Sequence, residues 1–96
     1  MDFQVRITEA ALTDFEEILG YSWVVFPGTA EHFGNAILSH VDLLKTFPYI
    51  GSSVANRPGV RQLVHTPIII YYRVDEHRNT VEILHFWHSS RRGPIS

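Results

Sequence analysis

The chain has 96 residues, 45% hydrophobic and 19% charged, which fits one folded domain over 1–96 with a modest core and excludes a disordered chain. It has no cysteine, so disulfides and Cys-based zinc sites are excluded, and its longest apolar run, Ile68–Tyr72, is far too short to cross a bilayer. The net charge of −2 gives no bulk pull toward phosphates. Charge is uneven, however. Arg57, Arg61, Arg73, Arg78, Arg91 and Arg92 lie late in the chain, whereas Glu9, Asp14, Glu16 and Glu17 crowd its early part, so a local basic surface remains open. The opening MDFQVRITEA lacks a basic-then-apolar signal pattern, and the expected location is the cytoplasm, with no membrane partner.

Phe3 to Thr8 alternates apolar and polar residues, the period of a half-buried strand. Thr8 suits a helix N-cap, with Glu9 placed against the positive end of the dipole. Ala11, Phe15, Ile18 and Ser22 then line one stripe, with Leu12 and Leu19 alongside, while Glu16 and Glu17 fall outside it. The aromatic and β-branched segment Tyr21–Phe26 does not mark the helix end, and Pro27-Gly28 is read as the break. Thr29 is a plausible cap for a second helix, whose stripe is Ala30, Phe33, Ile37, Val41 and Leu44 and which Phe47-Pro48 ends. The short link predicts an antiparallel helical hairpin.

Tyr49–Gly59, rich in Gly, Ser, Asn and Pro, is read as a loop. Strands follow at Val60–His65, Ile68–Val74 and Thr80–His88, the last two joined by the turn Asp75–Asn79. The tail Ser89–Ser96 is expected to lie across the surface. The fold class is therefore α+β, in the order β-α-α-β-β-β, with the helical hairpin on one face of a small, mostly antiparallel sheet. In the last strand Val81, Ile83, His85 and Trp87 form the expected core face, because Glu82 lies on the other face with Leu84, Phe86 and His88. In the middle strand Ile68, Ile70, Tyr72 and Val74 form the apolar face. This parity puts Arg73 and His88 on the functional side, with Phe86 an exposed anchor for a partner. His85 is expected to be a hydrogen-bonded core histidine. His85 and His88 lie on opposite faces, and the remaining histidines show no convergent ligand set, so neither metal nor cofactor is expected.

Several pieces now stand in order: Ile7-Thr8-x-x-Ala11, Pro27-x-x-Ala30-x-x-Phe33, Leu43-Leu44-x-x-Phe47-Pro48-x-x-Gly51, Arg61-x-Leu63-Val64, Tyr72-Arg73-Val74, Val81-Glu82-Ile83-Leu84 and His88-x-x-Arg91. Together they cover nearly the whole chain and resemble the RelE/ParE toxin superfamily of type II toxin–antitoxin systems, closest to its ParE-like, plasmid-stabilization branch. The resemblance implies two helices packed on a small sheet, a cognate antitoxin that wraps the toxin into a hetero-oligomer, and growth inhibition. It implies one of two targets. ParE-like members bind DNA gyrase, whereas RelE-like members are endoribonucleases that cut messenger RNA on the ribosome.

RNA cleavage requires a base for the 2′-hydroxyl, cations for the charged transition state and an acid for the leaving oxygen. In this chain the candidates for that chemistry are Arg61, Arg73, His88 and Arg91. The match to the nuclease branch is partial. Ile69 stands where that branch carries an arginine, no lysine follows Lys45 and no tyrosine follows Tyr72. The expectation is therefore a gyrase-directed toxin without its own chemistry. Its target- or antitoxin-binding residues would be Arg61, Arg73, Phe86, His88, Arg91 and Arg92. The alternatives are the ribosome-dependent nuclease and an inactive remnant that only binds antitoxin.

Overall fold

The computed structural model describes residues 2–25 and 27–89. Strand β1 (Gln4–Ile7) leads into helix α1 (Glu9–Val25), then helix α2 (Pro27–Asp42) and a 3-10 turn at Leu43–Lys45. Strands β2 (Ser52–Ser53), β3 (Val60–His65), β4 (Ile68–Asp75) and β5 (Thr80–His88) follow. The strands form one sheet in the order β1-β5-β4-β3-β2. Strand β1 runs parallel to β5, and the other neighbours are antiparallel. The expected architecture is thus present, with the two-residue β2 added at an edge.

Thr8 carries out its expected capping role. Its Oγ1 accepts from the Ala11 amide at 3.2 Å and donates to the Ile83 carbonyl at 2.7 Å, so the residue that starts α1 also ties it to β5. The stripes read from the helices converge in the core: Ala11, Ile37, Val41 and Leu44 pack against Leu63, Ile68, Ile70, Tyr72, Val81, Ile83 and Phe86. Phe15, Ile18 and Phe33 flank this core. One expectation about the hairpin is corrected. Helix α1 does end ahead of Pro27, but α2 starts there rather than at a Thr29 cap: Pro27 and Gly28 are its first residues, where proline's missing N–H is one of the amides without an intrahelical partner anyway.

A second correction bears directly on the site. Tyr72 pairs with Ile83, but Tyr71 pairs with His85, leaving Leu84 as an extra residue in β5. This β-bulge shifts the alternation by one from there on. Val81 and Ile83 face the helices as expected, but beyond the bulge it is Phe86 that does so. Phe86 is 1% exposed, and its ring lies 5.1 Å from that of Phe15 on α1. The expected exposed anchor is therefore a core residue. His88, opposite Ile68, shares the helix side by register rather than the open face with Arg73.

Candidate functional site

The loop from Thr46 to Ser53 folds back against the start of β3, and one glycine governs how. Tyr72 is fully buried, and its hydroxyl accepts the Gly51 amide at 2.9 Å. A β-carbon at Gly51 would lie 2.7 Å from that hydroxyl oxygen and closer still to the Gln62 carbonyl oxygen. Only glycine permits so close an approach of two backbones. Burial pushes the Tyr72 phenol above its ordinary pKa, so it stays protonated.

Gly51 in turn places Arg61. Opposite Tyr72 by register, Arg61 donates from Nη1 to the Gly51 carbonyl at 2.7 Å and to the Tyr49 carbonyl at 3.4 Å. Its guanidinium carbon sits 4.9 Å from the centre of the Tyr49 ring, a cation–π contact. The Tyr49 hydroxyl donates to the Glu76 carboxylate, and this bond, more than burial, raises the phenol's pKa. Tyr49, Ser53, Gly59, Val60, Arg61 and Val74 line a cleft of about 230 Å³. Beside it Phe47, Tyr49 and Ile50 stand about half exposed, an apolar rim next to a fixed cation.

The opposite face of the sheet differs from end to end. Glu82 lies between Arg6 and Arg73, bonding Arg6 through one carboxylate oxygen and Arg73 at 3.0 Å through the other. Both bonds, that to Arg6 first, hold the Glu82 carboxyl below the usual carboxylate range. The trio carries a single net positive charge, from two guanidiniums and one carboxylate. Farther along, Val64, Ile69 and Trp87 form a cross-strand row, with Val64 55% exposed.

Among the described residues, the candidates Arg61, Arg73 and His88 are thus not brought together. Arg61 pairs with Tyr72, on the helix side, whereas Arg73 pairs with Val60 and Glu82, on the open side. His88 lies in the Ile68 row, five residues along β4 from Arg73. At about 3.3 Å per residue that is roughly 17 Å. Arg91 and Arg92 lie outside the described residues. His85 is half-buried rather than in the core, and its Nδ1 is 2.8 Å from Asp14 Oδ2, which also accepts the Phe86 amide at 3.3 Å. This pair ties α1 to the part of β5 that extends past β1.

Sequence reading passed over Tyr49, Glu76, Asp14, Arg6 and Glu82 as partners of the site. The loop that holds Tyr49 was signalled by its Gly, Ser, Asn and Pro content and by the Phe47-Pro48-x-x-Gly51 element, but neither pointed to these partners. Among the described residues, no group of three or more His, Cys, Asp or Glu converges as a metal site, and no helix is long and apolar enough to cross a membrane.

Comparison with known proteins agrees with this architecture. No curated sequence is similar enough to count as a relative. The structure of the toxin–antitoxin complex RelBE2 from Mycobacterium tuberculosis contains a similar chain, with a TM-score of 0.72 at 21% identity over 92% of this chain and 99% of that one. A chain from the chromosomal ParDE toxin–antitoxin system of P. aeruginosa aligns with a TM-score of 0.76 at 23% identity, covering 90% of this chain and 95% of that one. At such identities these likenesses establish the fold. The model of the ParE toxin of type II toxin–antitoxin systems, parDE, matches residues 5–93, nearly the full length, and the chain belongs to that family.

Proposed function

We propose that this chain is a growth-inhibiting toxin that acts by binding DNA gyrase in the cytoplasm, without chemistry of its own, until a cognate antitoxin neutralises it. The observation that carries the first half is the separation of the cleavage candidates. Arg61 and Arg73 lie on opposite sheet faces. Arg61 is engaged by backbone carbonyls and Arg73 by Glu82, while His88 is roughly 17 Å along the strand from Arg73. A base, a cation and an acid must reach one phosphate together to cut RNA. A binding surface has no such need. The fixed Arg61 beside exposed Phe47, Tyr49 and Ile50 offers the mix of cation and aromatic side chains common at interface hot spots.

The antitoxin half rests on the helical hairpin. Phe15, Glu16, Leu19 and Gly20 line an apolar groove of about 400 Å³ on α1, and Leu12 and Leu38 are exposed on the two helices. An amphipathic segment that orders on binding suits such a groove. The structurally similar chains described above come from toxin–antitoxin systems, which supports the same pairing. The test is a supercoiling assay with purified gyrase and this chain. Inhibition that is relieved by the product of the adjacent gene is the expected result. Undiminished supercoiling at a large excess of the chain would overturn the gyrase reading.

A further inference from the structure

Away from the cleft, α2 meets the end of β3 through two histidines. His40 and His65 approach with their Nδ1 atoms 2.9 Å apart and their ring centres 5.1 Å apart. Both side chains are partly buried, and the Phe33 ring stands 6.2 Å from that of His65, walling one side with hydrocarbon. We propose that His40 and His65 form a two-histidine site for a divalent transition cation, zinc or copper, which clamps α2 to β3.

Two imidazole Nδ1 atoms 2.9 Å apart on neighbouring elements are a donor pair of the kind such ions take. Bound at about 2.0–2.1 Å in tetrahedral geometry, they would stand about 3.3 Å apart. The observed separation therefore needs to open by only about 0.4 Å. The ligands must be neutral to bind, so metal affinity falls in acid. Without the metal, the same contact requires the two rings to hold opposite tautomers, one donating and one accepting. With no third His, Cys, Asp or Glu converging among the described residues, the remaining coordination positions fall to water. The site is then an open one, not a closed structural centre.

The test is a zinc titration of tag-free protein, followed by melting temperature and by the imidazole ¹⁵N resonances. Zinc at ten times its Kd is expected to raise Tm by about 5 °C or more. The increase should appear in the wild type and in His77→Ala, a surface control, and vanish in His40→Gln and His65→Gln. Copper should bind more tightly than zinc. The absence of any zinc-dependent shift in the wild type, or a shift that survives in both Gln variants, overturns the proposal. Should the Gln variants fail to fold, the wild-type resonances decide. Zinc must perturb Nδ1 of both His40 and His65 at one equivalent, and perturbation confined to other histidines overturns the site.

Discussion

Replacing Gly51 with alanine tests how the cleft is built. The new β-carbon would stand 2.7 Å from the Tyr72 hydroxyl and nearer to the Gln62 carbonyl. Neither neighbour can yield cheaply, because the first belongs to a fully buried side chain and the second to a strand backbone. Overpacking of this kind costs about 1–3 kcal/mol. Losing the buried Gly51–Tyr72 hydrogen bond costs about 1–3 kcal/mol more. The expected loss is therefore about 2–6 kcal/mol, a large share of the roughly 5–15 kcal/mol typical of a whole domain. Urea denaturation of Gly51→Ala, Tyr72→Phe and the double variant measures it. The two changes share one contact, so the double variant should lose less than the sum of the singles. A Gly51→Ala protein within about 0.5 kcal/mol of the wild type, the usual range for changes at unconstrained surface positions, would refute the reasoning.

Phe86→Ala should cost about 3–5 kcal/mol, as for a large ring removed from a packed core; an exposed anchor would show almost no change in the same denaturation experiment. Glu82 has a lowered carboxyl pKa, so its stabilising effect is present above the ordinary carboxylate range and fades as pH falls through that range and below. Glu82→Gln should therefore be less stable than the wild type at pH 7, by about 1 kcal/mol or less because both arginines are mostly exposed. The gap should close in acid and shrink in high salt, as thermal melts at several pH values will read. The lowered pKa of His40 gives the opposite proton accounting from a stabilised cation: the unfolded chain binds the proton more readily, so metal-free protein loses stability as pH falls from the ordinary histidine value through the lowered one. NMR titration should find His40 below its ordinary pKa, and His65→Ala should restore only part of the difference, since burial is the larger cause. Asp14→Ala, which removes the partner of both His85 and the Phe86 amide, should cost about 1–3 kcal/mol in chemical denaturation.

The parts of the fold that obey a local period were legible in the sequence. The stripe Ala30, Phe33, Ile37 and Val41, carried on by Leu44 in the 3-10 turn, marks the buried side of α2, and Thr8 marks the start of α1, because each follows from neighbours a few residues away. The β-bulge at Leu84 leaves no such trace. It uses no glycine, and its effect, the turning of Phe86 toward the helices, appears only once β5 is set against β4. Glu82 correctly marked the polar face, but only as far as the bulge. The site was less legible for the same reason. Arg73 looked like a free cation until register placed Glu82 beside it and the parallel β1 brought Arg6 to the same carboxylate from 76 residues away. His40 and His65, 25 residues apart and on different kinds of element, could not be paired by spacing.

Among the described residues, Arg61, Arg73 and His88 stand too far apart to share one phosphate, and the proposed function is binding without cleavage. Mapping the 5′ ends of translated messenger RNA after induction of the chain tests it most directly. The expected outcome is growth arrest with no new ends positioned at codons. Codon-positioned ends that disappear in both Arg61→Ala and His88→Ala would contradict it, because they would place in one catalytic event residues that the sheet holds far apart.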